Sequence, residues 1–225
     1  MQPTDPNDPV STAGQAPAFV LTSTDVSAAS LSAAYLNSIL PAISSAYDLD
    51  VWPLLAQSGI SKEQLAQSDY LISFYQVGAF FLSVLQECKD EGVGLVVGSA
   101  VQAKSYQVLG YAIMSSQNLG EAIDRLIRYE KLVGQLGSTL FVAAEEGDIS
   151  ADICKLVWQC PFDAVWVRFL KEAAIAGWVT YALSQVQVEN AIFTVHFDHA
   201  ASSIPFERYQ KVFGDRIVFD SDWCG

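Results

Sequence analysis

The residues in this chain that could do chemistry are few and scattered. Gly92, Gly94 and Gly98 invite comparison with a dinucleotide-binding loop, but their spacing is G-x-G-x-x-x-G. The preceding run, residues 86–91, is charged and helical in character, whereas a phosphate-cradling loop must follow a strand and open a helix. A tight helix-to-helix turn is the plainer reading, and no cofactor is expected. Nucleophile-elbow, zincin and P-loop motifs are all missing from the sequence. Cys88, Cys154, Cys160 and Cys224 form no C-x-x-C pair, and only His196 and His199 could complete a metal site, so reduced thiols without a metal are expected. His196, between Val195 and Phe197 on a strand, reads as a hydrogen-bonded structural histidine. The acidic pairs Glu145/Glu146 and Asp220/Asp222 fall in turns, where carboxylates are solvated. With no acid–base or nucleophile cluster, enzymatic activity is not expected.

The aromatics are more informative. Trp158, Trp166 and Trp178, with Phe74, Tyr75 and Tyr181, fall in segments that must pack together. Aromatic walls with a few polar tips suit a small-molecule pocket, and equally a core. The candidate ligand-binding set is Tyr75, Gln76, Trp178 and Tyr181, with Arg168 as a cation for a ligand carboxylate if it turns inward. Arg168 lies near Lys171 and Glu172, so a solvated face is its alternative.

The elements that would position these residues can be read from periodicity. Residues 1–28 are rich in Pro, Ser, Thr and Asp and read as a mobile leader, with 29–225 as one ordered domain. Leu31, Tyr35, Leu36, Ile39 and Leu40 recur at helical spacing, and Pro41 kinks or ends that helix. A second helix runs through Val51 and Leu55 to a Gly59 cap, and Ser61 with Gln64 forms a capping box for a third. Residues 69–88 read as one long helix, apolar except for a narrow stripe of Ser73, Gln76, Ser83 and Glu87. Asn118 opens another helix, with Leu119, Ala122, Ile123, Leu126 and Ile127 as its buried face. Strands follow at 138–144 and 151–158, joined by a turn at 145–148. A helix to about Gln185 has an apolar second half, then come a strand at 191–197, a helix at 206–213 and a strand at 216–219. The fold class is α+β: N-terminal helices followed by an antiparallel sheet with helices packed on it.

Bulk properties bound the function. The 225 residues are 51% hydrophobic and 16% charged, with mean hydropathy +0.26, which leaves apolar surface for a partner. A homodimer is the expectation. A net charge of -13 would repel a phosphate backbone, so the chain itself is a poor DNA binder. No stretch reads as a membrane span or a secretory signal, which points to the cytoplasm.

Several phrases, in order, carry a resemblance. They are Leu54-Leu55 with Gly59-Ile60, Gly94-Leu95 with Gly98, Leu109-Gly110-Tyr111-Ala112, and Ser115-Ser116-Gln117-Asn118-Leu119 with Glu121-Ala122. Near the end come Pro205-x-x-x-Tyr209-x-x-x-Phe213-Gly214 and Ile217-Val218-Phe219-Asp220. Over about residues 30–222 the chain resembles the N-terminal arabinose-binding (sensor) domain of bacterial AraC/XylS-type transcription regulators. The resemblance implies a small-molecule effector and promoter DNA bound through a C-terminal helix-turn-helix domain that is absent from this chain. It does not imply arabinose, since sensors of this type serve varied effectors.

Two other function classes stand beside this reading. A ligand-free structural dimerisation domain would have a filled core and a flat thermal response to small molecules. A small-molecule enzyme would need turnover, for which no cluster of residues is visible.

Overall fold

The computed structural model describes residues 28–142, 154–185, 193–201 and 203–225. The expected leader up to residue 27 and the turn at 145–148 lie outside the described residues.

Strand β1 (Ser30–Ser32) pairs antiparallel with β2 (Leu71–Ser73), placing Leu31 opposite Ile72. Ser32 caps α1 (Ala33–Tyr47), its Oγ accepting the Tyr35 N–H at 3.2 Å. Pro41 lies inside α1 on its exposed side and does not end it. The helix stops six residues later, where Asp48 turns left-handed at φ 49°. Asp50 caps α2 (Val51–Gln57), and α3 (Lys62–Ala66) opens with the expected Ser61/Gln64 capping box.

The long helix read over 69–88 is corrected at its start. Helix α4 (Phe74–Cys88) begins only after β2, because Ser73 and Gln76 form a second capping box. Ser73 Oγ accepts the Gln76 N–H at 3.4 Å, and Gln76 Oε1 accepts the Ser73 N–H at 3.3 Å. A cap requires extended backbone at residue 73, which leaves 71–73 free to pair as a strand.

The glycine segment is a second correction, since it is helix α5 (Val93–Ser99) and not a turn. A 3-10 turn, Ala103–Tyr106, leads into α6 (Gln107–Met114), and Asn118 caps α7 (Leu119–Tyr129). Strands β3 (Ser138–Val142) and β4 (Lys155–Gln159) pair antiparallel, with Thr139 opposite Trp158. Helix α8 (Val167–Gln185) follows, then β5 (Val195–His196), α9 (Phe206–Phe213) and β6 (Ile217–Val218). The α+β class holds. Its strands fall into three two-stranded pieces among the described residues, and β5 with β6 is parallel. Cys224 and Gly225 link two of these pieces. The Cys224 carbonyl accepts the Trp158 N–H at 2.8 Å, and Gly225 exchanges both backbone hydrogen bonds with His196.

Helix α8 is the divider of the core. On one side it packs with Leu36, Ile39, Leu55, Ile72, Val77 and Phe80; on the other, Ile175 and Ala176 meet Val195, Phe197, Tyr209 and Phe213. It also lies close along α5. A Cβ on Gly94 would come within 2.6 Å of the Phe169 carbonyl oxygen, so only glycine allows this approach.

Two burial expectations are corrected. No residue of α7 is fully buried, and Leu119, assigned to its buried face, is 61% exposed. The second half of α8 is only partly covered, with Leu183 exposed. Among the described residues, no helix is long and apolar enough to cross a membrane.

Candidate functional site

One cavity of about 110 Å³ lies where α1, α4, α5, α6, α7, α8 and the β3–β4 hairpin converge. Its walls are mostly apolar: Leu31, Phe81, Val97, Leu109, Leu126, Leu136, Leu170, Ala173 and Ala174, with Trp158 and Trp178. Polar atoms come from Tyr35, Tyr106, Glu130 and Thr139. The periodicity that buries one face of each helix delivers these side chains to a common centre.

Tyr35 and Tyr106 stack with ring centroids 5.7 Å apart, and Tyr181 meets Tyr106 edge-on at 6.4 Å. Removal from water pushes the Tyr35 phenol up to about 12. The same desolvation, with the neighbouring tyrosines, raises Tyr106 well above its ordinary value. Both therefore stay protonated and able to donate. No hydrogen-bond partner for either hydroxyl is found among the described residues, and the buried Tyr181 hydroxyl also lacks one. Glu130 is engaged: its carboxylate accepts the Thr139 N–H at 3.0 Å and the Thr139 hydroxyl.

The residues singled out from sequence are dispersed by the fold. Trp178 lines the cavity, and Tyr181 stands behind Tyr106. Tyr75 is 70% exposed. Gln76 is occupied by its capping box and by a 2.6 Å bond from its Nε2 to the Gly59 carbonyl. Neither lines the cavity.

Arg168 serves a different cluster, at the junction of α8 and α9. Its Nε donates to Glu172 at 3.2 Å, its Nη2 to the Tyr209 hydroxyl at 3.2 Å, and Glu91 lies 3.6 Å from Nη1. Glu172 is fully buried and also accepts from Tyr209 at 2.5 Å. Burial raises its carboxyl above the usual range despite these partners. His199 Nε2 lies 3.8 Å from the same oxygen, too far for a hydrogen bond, and burial lowers this imidazole below its ordinary value. A second tie holds α9 from the other side, where Arg208 pairs with both oxygens of Asp90 at 2.7 and 2.9 Å. The Tyr47 hydroxyl donates to the same carboxylate at 2.6 Å. Arg168, Tyr209, Asp90 and Arg208 tie α8, α9 and the segment before α5 together, while Glu172 Oε2 and His199 Nε2 are buried without a hydrogen-bond partner among the described residues.

Sequence reasoning missed Tyr35, Tyr106 and Glu130 as cavity residues. Tyr35 was absorbed into a helical apolar pattern. Tyr106 and Glu130 lie in short 3-10 turns, where no periodicity marks a face. The one available signal was Trp158 in a strand with Trp178 in an apolar helix.

The description "arabinose-binding domain of AraC transcription regulator, N-term" fits residues 49–225. The chain belongs to this family. It is therefore the ligand-sensing, regulatory type of domain, and the family is not one of enzymes. The AraC-type assignment places the cavity in a domain whose family is described by binding a small molecule. An ornithine utilization regulator of Pseudomonas aeruginosa is 26% identical over 200 residues, which is 84% of this chain and 57% of that protein. This AraC-type domain thus spans little more than half the length of that relative.

Proposed function

We propose that this chain is the effector-sensing and dimerisation domain of a bacterial, cytoplasmic AraC-type regulator. In this reading it controls DNA binding by a separate C-terminal helix-turn-helix domain. The observation that carries the proposal is the apolar cavity between α1, α8 and the β3–β4 hairpin, with phenol hydroxyls in its wall that have no hydrogen-bond partner among the described residues. A mostly apolar recess with few polar groups suits a small ligand, and a filled core would leave none. Its walls come from six helices and a hairpin of one chain, so occupancy would change how α7, α8 and the hairpin pack. Trp178 and Tyr181 remain in the proposed site, joined by Tyr35, Tyr106 and Trp158. Gln76 and Arg168 are assigned structural work, and Tyr75 faces solvent.

Self-association is supported by a stripe on α6. Val108, Tyr111 and Met114, three residues apart, are each more than half exposed, and α6 carries no charge. Apolar side chains at that spacing form one continuous helical face, the kind a partner helix covers. DNA contact by this domain is disfavoured by the net charge of -13. Native mass spectrometry of the purified chain tests both halves. Two copies per particle with a retained small molecule is the expected result; an empty monomer that binds nothing from a metabolite extract would overturn it.

A further inference from the structure

We infer that the effector carries no carboxylate or phosphate: it is a small, largely apolar molecule, about one ring in size, with a neutral hydrogen-bonding group. This rests on the cavity being the effector site.

The argument is an inventory of cations. All twelve lysines and arginines and both histidines lie among the described residues, so the segments outside them contribute no basic side chain. Not one of the fourteen lines the cavity. Two cations on neighbouring elements, Arg125 and Arg168, are already engaged. Arg125 pairs with Glu121 and donates to the Ala112 carbonyl and Ser115, and Arg168 is held by Glu172, Tyr209 and Glu91. The ionisable acid in the wall, Glu130, has the wrong sign for an anion. A carboxylate brought against these walls would lose part of its hydration and find no countercharge in the lining, a net penalty. An amino acid such as ornithine would meet that penalty in full.

What the walls do offer is complementary to a neutral ligand. Tyr35 and Tyr106 line the cavity with Trp158 and Trp178, and neither hydroxyl has a hydrogen-bond partner among the described residues. Aromatic rings supply dispersion and a slot-like shape, while a phenol can donate to, or accept from, a hydroxyl or carbonyl. The volume of about 110 Å³ is of the order of the apolar cavity (about 150 Å³) that takes benzene in an engineered protein. One ring with one polar substituent is the size that fits.

The test uses isosteric probes on the whole chain: phenol, benzoate and L-ornithine, read by thermal shift and by quenching of tryptophan fluorescence. Phenol should raise Tm and quench at millimolar concentration. Benzoate and ornithine should bind at least about tenfold more weakly, as an uncompensated buried charge requires. Ala174→Phe fills the space and should abolish the phenol response; Leu126→Trp fills it from the opposite element and serves if the first variant does not fold. Equal or tighter binding of benzoate or ornithine, lost in the filled variants, would overturn the ligand class while leaving the site standing. Phenol binding undiminished in a folded filled variant would overturn the site itself, and no phenol effect at all would overturn the class.

Discussion

Gly98 and Ala176 meet where α5 crosses α8: a Cβ built on Gly98 would lie 2.4 Å from the Ala176 Cβ and 2.6 Å from the Ala173 carbonyl oxygen. The two backbones therefore approach too closely for a side chain at residue 98. With Gly94 one turn earlier against Phe169 and Glu172, the pair sets the position of α8, and so of Trp178 in the cavity wall.

Gly98→Ala should destabilise the domain although alanine is the better helix former by about 1 kcal/mol. The added methyl meets a backbone carbonyl that cannot step aside, and overpacking of this kind costs about 1–3 kcal/mol. Gly98→Val should cost more. Urea unfolding followed by far-UV circular dichroism reads the difference, and a raised midpoint for Gly98→Ala would contradict the packing described.

The capping box at α4 separates stability from ligand binding. Ser73→Ala should lower stability by about 1 kcal/mol, the usual loss for an N-cap. Gln76→Ala removes the return bond and the Gly59 tie, so its loss should be at least as large. Neither should change effector affinity. A thermal melt with and without ligand separates the two effects, since both variants should keep the wild-type ligand-induced shift.

Much of this architecture was legible in the residues themselves. The Ser61/Gln64 box, the Asn118 cap and the 206–213 helix follow from side-chain chemistry within four residues, which sequence displays directly. The Ser73/Gln76 box carries the same signature, yet the apolar run around it reads as continuous helix, so Gln76 passed for a pocket residue. The phrases that carry the family resemblance turn out to be backbone crossings. Gly94 and Gly98, on α5, press against α8, and Gly110 has the Ala103 carbonyl oxygen where its Cβ would go. The cavity was not legible because it depends on which elements leave space between them. Periodicity reports that a face is buried, not what it is buried against.

The Glu172–His199 pair should make stability depend on pH in two opposed ways. His199, held below its ordinary value chiefly by burial, contributes stability that is present above about 6.5 and lost as pH falls through its lowered value. Glu172 is raised by burial, so its contribution is present below its ordinary 4.5 and lost as pH rises through the raised value. Arg168, Lys171 and Asp198 surround the pair. Chemical unfolding between pH 7.5 and 5 should show His199→Gln losing less stability on acidification than wild type. Glu172→Gln should lose more, because the opposing group is gone. An unchanged pH dependence in both variants would mean that the pair is solvated.

The α6 stripe predicts a selective effect on assembly. Tyr111→Lys with Met114→Lys places two charges on an exposed apolar face, so the fold should be unaffected within about 0.5 kcal/mol. Dimer affinity should fall by at least about tenfold if that face is buried in the dimer. Sedimentation velocity across a concentration series decides it, and unchanged association would place the interface elsewhere.

The most direct measurement of the central claim is promoter output from the full-length regulator, in its host, against increasing inducer, with Tyr75→Phe and Ala174→Phe compared with wild type at equal protein abundance. The cavity account predicts an unchanged midpoint for Tyr75→Phe, whose ring faces solvent. It predicts a flat response for Ala174→Phe, whose added ring occupies the space between Trp178 and Leu126. A folded Ala174→Phe regulator that responds with the wild-type midpoint would show that the effector binds somewhere else.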